Sequence, residues 1–331
     1  MLISLPSEWI RASRLNKGNT LFIETNQDNS ICLFPSDAND THTIEVSLSY
    51  NPSSPVDALI NQIYGAYLLG YSDIRLKGKD QILFEHREQI KVTMRKLVGL
   101  EIVDEDNSNI VAQFLLDAST LDAEKILRRM DSIVAGMYRD ALNGLKSKVY
   151  GIKKLISSRD DEVDRQYFLL VRLIRSAMVD QKLARKLNLS NIDILDYRIA
   201  ANHLESAGDY ICEFASSLPS ISRTKIPDKM AEAGSYIAKM QEKSVAAFTK
   251  KNRSESLGIV TMYNEFREIM DAAKELIAQV KFTNSESTIA VLNSLYSMDK
   301  IARCWVDVAD LVKPLYLDGL KQGKPQLFSS A

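Results

Sequence analysis

The residues best suited to chemistry in this chain are carboxylates at helical spacing. Glu205 and Asp209 stand four apart, as do Asp160 and Asp164, and helix residues four apart share a face, one turn from each other. Arg198, Asn202 and Glu213 extend the first line at helical steps. Ser206, Ala207 and Gly208, between the two acids, are small enough to let a neighbouring helix approach closely. Like charges at this spacing repel in an isolated helix. A divalent or trivalent cation on oxygen ligands would relieve that repulsion, and such donors suit magnesium, manganese, calcium or iron better than copper. An ordinary solvated helix face shows the same spacing, and Asp160, Asp161 and Glu162 are also acids of the kind that favour a helix N-terminus.

Other chemistries find little support. Only His42, His86 and His203 are present, and there is no His-Glu-x-x-His zinc motif, no Cys-x-x-Cys, no Gly-x-Ser-x-Gly, no phosphate loop and no dinucleotide-binding glycine fingerprint. No glutamate precedes a histidine by three residues, so the Glu-x-x-His pairs of carboxylate-bridged metalloenzymes on helical bundles are missing. Cys32, Cys212 and Cys304 are far apart and odd in number, which points to a reducing, cytoplasmic setting. With Cys212 the one thiol beside the acid pairs, structural zinc is disfavoured. The chain reads as a non-enzyme.

The elements that must position these acids are long helices. Prolines fall at 6, 35, 52 and 55, then at 219, 227, 314 and 325, and the two long proline-free stretches after residue 118 permit uninterrupted helix. Leu127, Met130, Val134, Met137, Ala141, Leu145, Val149 and Ile152 step by three or four and predict one long amphipathic helix. A second follows Ser157-Ser158 and carries Val163 to Ala184, and a third runs from about 191 to 218. After a proline linker at 219–227, helical patterns recur at about 229–251, 256–280 and 286–312. Leu204–Ala215 lies over Met298–Ala309 at an offset of 94 residues, setting Glu205 on Asp299, so the two triplets read as a duplication.

Ahead of them, residues 43–117 alternate in type. Strands are predicted at 43–48 and 72–76, helices at 56–69 and 85–97, and two strands within 98–117 joined by the turn at 104–109. Residues 2–35 read as a helical turn at 6–10, a tight turn at 16–19 and two short strands at 21–24 and 30–34. Residues 1–36 carry three basic and three acidic side chains, residues 37–117 seven and thirteen, and residues 118–331 32 and 27. No segment has the dense basic signature of a nucleic-acid coat. Hydrophobic content of 45% excludes a disordered chain, no apolar run is long enough to span a membrane, and Glu8 and Arg11 interrupt the first apolar patch, against a signal peptide.

Leu195–Ala215, with Glu205-Ser206-Ala207-Gly208-Asp209 at its centre, resembles the third-helix signature of PhoU phosphate-signalling proteins. Residues 160–174 resemble that family's acid-rich second helix, and Leu295–Leu311 a second copy in which Asp299 keeps the first acid while Arg303 replaces the second. Ser4–Ile23 is similar to the DNA-binding hairpin of the SpoVT-AbrB family, in the form fused to PhoU repeats in archaea. The fold these resemblances imply is mainly α: two tandem antiparallel three-helix bundles at 118–219 and 228–316, behind an AbrB-like hairpin at 1–36 and a small α+β module at 37–117, with a tail at 317–331. They imply a regulator of phosphate uptake with a metal centre drawn from Glu205, Asp209, Asp160, Asp164 and Asp299. They further imply a phosphate transporter ATPase or phosphate sensor as partner, homodimerisation through the hairpin, and DNA contact by Arg11, Arg14 and Lys17. A helical adaptor without metal or DNA is the competing expectation.

Overall fold

The computed structural model describes residues 4–25, 30–35, 44–147, 150–221, 228–280 and 284–312. The expected tail at 317–331 and most of the proline linker lie outside the described residues. The chain divides into two compact units, Met1–Thr43 with Leu315–Ala331, and Ile44–Pro314.

In the first unit, Pro6 precedes a short helix α1 (Ser7–Ala12), where a proline fits because the first helical N–H groups have no intrahelical partner. The predicted turn at 16–19 closes by a hydrogen bond from Asn19 N–H to the Asn16 carbonyl at 3.1 Å. Strands β1 (Leu21–Thr25) and β2 (Ile31–Pro35) then form a two-stranded antiparallel ribbon with Ile23 opposite Leu33. Phe22, Ile23 and Ile31 are each more than half exposed on it.

The second unit opens with the α+β module: β3 (Glu45–Tyr50), α2 (Val56–Leu68), β4 (Asp73–Gly78), α3 (Phe84–Lys96), β5 (Leu100–Glu105) and β6 (Asn109–Phe114). Helix α2 is the crossover that lets β3 and β4 pair in parallel, and β6 pairs antiparallel with both β4 and β5, giving the order β3-β4-β6-β5. Alternate residues of the central strands, Ile74, Leu76, Ile110 and Ala112, are buried under Ile63, Tyr67, Ile90 and Met94 of the helices.

Among the described residues seven α-helices follow: α4 (Ala123–Lys146), α5 (Ile152–Val179), α6 (Gln181–Lys186), α7 (Asn191–Ser217), α8 (Asp228–Lys250), α9 (Arg253–Gln279) and α10 (Ser285–Asp310). Helices α4, α5 and α7 pack on one another, as do α8, α9 and α10, and the two triplets join along α7–α10 and α4–α8. One continuous apolar core runs through both. The repeat offset survives in the backbone, since α7 begins at Asn191 and α10 at Ser285, 94 residues later, with side-chain caps from Ser190 and Asn284 respectively.

The structure corrects the predicted first and second helices. The first ends at Lys146 rather than continuing to Ile152, and the second starts at Ile152, so Ser157 and Ser158 lie inside it. Apolar steps cross the break because both helices face the same core. The break falls at Gly151, whose φ of 71° lies in the left-handed region that side chains with a Cβ resist. Ala184 belongs to the separate helix α6, started by Asp180, whose side chain accepts from the backbone N–H groups of Lys182 and Leu183.

Helix α5 also carries the α+β module. Arg172, 5% exposed, donates to the carbonyls of Tyr67 and Gly70 at 2.6 and 3.1 Å and lies 3.8 Å from the centre of the Phe114 ring. Those carbonyls end α2, where the helix dipole is negative and backbone acceptors have no intrahelical donor. Lys96 pairs with Asp161 at 3.0 Å, and Arg165 donates to the Arg95 carbonyl at 2.5 Å.

Candidate functional site

Helices α5 and α7 run antiparallel, with the Tyr167 hydroxyl reaching Asn202 at 3.5 Å and Asp160 lying against Gly208. A Cβ at position 208 would stand 2.9 Å from Asp160 Oδ1, so glycine is what lets this carboxylate approach α7. The Cys212 thiol, one turn beyond, lies beside Asp160. Asp164, one turn along α5, sits in the field of Asp209 and Glu205. Asp160, Asp164 and Glu205 are partly buried, while Asp209 is exposed at the rim.

Burial, followed by the neighbouring carboxylates, raises all four acids. Desolvation lifts Glu205 to about 7, with Asp209 and Asp164 adding to the rise. Asp160 is lifted to about 6 by burial, opposed by the adjacent Cys212 thiol and reinforced by Asp164 and Asp209. Asp164 is raised by burial and then Asp209, and Asp209 by burial and then Glu213. Burial and the Asp160 charge push the Cys212 thiol up, keeping it a proton donor.

Neutralisation separates these acids from their neighbours in sequence. Asp161 pairs with Lys96, and Glu162 with Arg129 and Arg165. Among the described residues no cation forms an ion pair with Asp160, Asp164, Glu205 or Asp209. The other members of the predicted polar line are engaged elsewhere: Arg198 lies over the Tyr167 ring at 5.3 Å, and Glu213 pairs with Lys300 at 3.3 Å. His203 lies 3.7 Å from Asp307 on α10, away from a ligand role.

The structure therefore brings together Asp160, Asp164, Glu205 and Asp209, and it does not bring Asp299 to them. Asp299 accepts from Arg303 at 2.8 Å and from the Tyr263 hydroxyl at 3.1 Å. The cation that stands at the repeat position of Asp209 thus supplies internally the charge that the first bundle lacks. Four carboxylates form a donor set that fits an oxygen-seeking cation. Among the described residues, however, no group of three or more His, Cys, Asp or Glu side chains is placed to hold an ion as it stands, so ligation requires the carboxylates to turn toward a common point.

Arg11, Arg14 and Lys17 are exposed on α1 and the turns after it, in the first unit, and no ion pair engages them among the described residues. Sequence reasoning missed Arg172 and the contact between Cys212 and Asp160. The signal for the first was present: an arginine inside the apolar run Phe168–Ile174 must find polar partners when that run is buried.

The family described as PhoU domain matches residues 127–218, from α4 to the end of α7, a span that holds all four acids. No curated protein matches the chain by sequence. The fold is similar to the crystal structure of PhoU from Pseudomonas aeruginosa, at 18% identity and a TM-score of 0.52 over 59% of this chain and 95% of that one. It is also similar to the phosphate transport system regulatory protein PhoU from Streptococcus pneumoniae, at 17% identity and a TM-score of 0.50 over 61% and 94%. Among the described residues no helix is long and apolar enough to cross a membrane.

Proposed function

We propose that this protein regulates phosphate uptake as a non-enzymatic, metal-dependent binding protein. Its metal site is formed by Asp160, Asp164, Glu205 and Asp209, and its partner is a phosphate transporter ATPase or phosphate sensor. The observation that carries this reading is the set of four unneutralised carboxylates across α5 and α7, within the span that matches the PhoU domain. A bound magnesium, manganese, calcium or ferric ion would supply the positive charge these acids lack and hold α5 and α7 together there. Asp299 is not part of that site in this reading, because Arg303 already neutralises it. The first unit serves as a dimerisation hairpin. A two-stranded ribbon with exposed Phe22, Ile23 and Ile31 is marginal alone and gains from pairing with a second copy, which would gather Arg11, Arg14 and Lys17 of two chains as phosphate contacts for DNA.

The decisive experiment is elemental analysis of the purified protein, together with thermal melts in chelator and in each of the four ions. The expected result is bound metal and a rise in melting temperature that the double variant Glu205→Gln, Asp209→Asn loses. A helical adaptor without metal is the second reading, favoured by the absence, among the described residues, of a preformed group of three ligands. A metal-free protein whose melting does not respond to any of the ions would establish that reading and discard ours.

A further inference from the structure

The α+β module presents a sheet edge, unpaired among the described residues, beside a groove. Strand β5 is the last in the order β3-β4-β6-β5 and, among the described residues, pairs with β6 alone. All six of its residues, Leu100 to Glu105, line a groove of about 470 Å³ whose other wall is Lys91, Met94 and Arg95 of α3. Leu115 N–H donates to the Gly99 carbonyl at 2.8 Å, and Asp106 N–H to the Asn109 carbonyl at 3.0 Å. In an antiparallel ladder the residues between such bonded positions turn their backbone groups to the other side. The amides and carbonyls of Ile102 and Glu105 therefore face the groove.

The side chains along this edge have an order set by a bulge at Val103. The register passes from Ile102 opposite Ala112 directly to Asp104 opposite Val111, and residues opposite each other share a sheet face. Ile102 and Glu105 thus lie on the helix side, where Glu105 pairs with Lys91 at 2.8 Å and Arg87 at 3.6 Å. Glu101, opposite Gln113, and Asp104 lie together on the open face, and without the bulge Asp104 would have turned under α3. Both are exposed, and no cation forms an ion pair with either among the described residues.

We propose that this groove is a docking site for an extended segment of a partner protein, which adds to β5 as a fifth strand. The backbone fixes the class of occupant, since only an extended chain meets a row of outward amides and carbonyls. The two faces fix its pattern: basic side chains against Glu101 and Asp104, alternating with apolar ones over Ile102. A second copy of β5 is the wrong occupant, because antiparallel self-pairing would set Glu101, Asp104 and Glu105 against the same acids. A bulge and acids at an edge are devices against self-pairing, and they leave a cationic strand as the segment admitted. This site is independent of the metal reading.

The test uses the full chain and fluorescein-labelled Val-Lys-Ile-Lys-Val-Lys with a capped C-terminus, followed by fluorescence anisotropy at low salt. The expected result is saturable binding, weakened about tenfold or more when alternate backbone amides of the peptide are N-methylated. A similar loss is expected in the variant Glu101→Lys with Asp104→Lys, whose melting temperature checks that it is folded. Slower hydrogen exchange at the Ile102 amide on peptide addition gives a second, variant-free readout. The proposal is overturned by no saturation up to about 1 mM peptide, by equal binding of the N-methylated peptide, or by equal binding to the charge-reversed variant. Dissociation of a parent dimer by the peptide would assign the edge to a second copy and overturn it as well.

Discussion

Replacing Glu205 by glutamine should stabilise the metal-free protein at alkaline pH, and the size of the gain follows from its surroundings. Burial and the adjacent Asp209 lift this carboxyl from 4.5 to about 7. A rise of that size corresponds to about 3 kcal/mol at 1.36 kcal/mol per pK unit. Glu205 is only partly buried, so solvent screening reduces the expected effect to about 1–2 kcal/mol. The sign is fixed by linkage. A folded-state pKa above the unfolded value contributes stability that is fully present below pH 4.5 and is lost as the pH rises through about 7. Glutamine imitates the protonated carboxyl at every pH. The variant should therefore exceed the parent by about 1–2 kcal/mol at pH 8 in chelator, and the gap should close toward pH 4.5. Urea unfolding followed by circular dichroism at the two pH values measures it. With a saturating cation the order reverses, since the parent gains about 2.7 kcal/mol at a hundredfold excess over Kd and the variant loses a ligand. Equal stabilities at pH 8 in chelator, or a gap that widens on acidification, would refute the account of uncompensated charge.

Two further outcomes test the scaffold. Arg172→Met keeps the stem's packing but removes the charged donor from the Gly70 carbonyl and from the Tyr67 carbonyl, which keeps only the Gly70 N–H, and should cost about 2–3 kcal/mol in urea unfolding; a loss below about 1 kcal/mol would show that the arginine does not hold the module. Ile23→Lys places a charge on the exposed apolar ribbon and should give a monomer by sedimentation that no longer retards DNA at low salt; a dimer that persists, or a mobility shift equal to the parent's, would remove the hairpin from the proposed function.

The legible part of this fold is the part governed by periodicity. The apolar steps of α7 and α10 and the 94-residue offset between them are properties of single helices, and the structure keeps both. The α4–α5 break was illegible because Leu145 and Ile152 face one core from either side of Gly151. An apolar period marks which face is buried and is blind to a turn that preserves that face. Among the described residues the extended backbone of Ser147 and the left-handed backbone of Gly151 mark the chain reversal, and neither residue announces its φ in sequence.

The site was legible as spacing and illegible as charge balance, and α5 shows why. Asp161, Arg165, Phe168 and Arg172 form one stripe of this helix, which meets Lys96, the Arg95 carbonyl, Tyr64 and the end of α2. Asp160 and Asp164 belong to the neighbouring stripe, which faces α7. In sequence the acids from Asp160 to Asp164 are one cluster, and nothing local distinguishes a neutralised member from an unneutralised one. The difference comes from cations distant in the chain: Lys96 takes Asp161 and Arg129 takes Glu162, because the module and α4 pack on the sides of α5 where those acids emerge. The side that meets α7 brings Glu205, Asp209 and the Cys212 thiol to Asp160 and Asp164, while the α7 cation Arg198 lies over Tyr167 instead. The same contrast separates the two bundles, where the repeat partner of Asp209 is Arg303 and the charge is balanced within one helix. Uncompensated charge thus arises where two acid-bearing helix faces pack together, a property of the pair that neither helix carries alone.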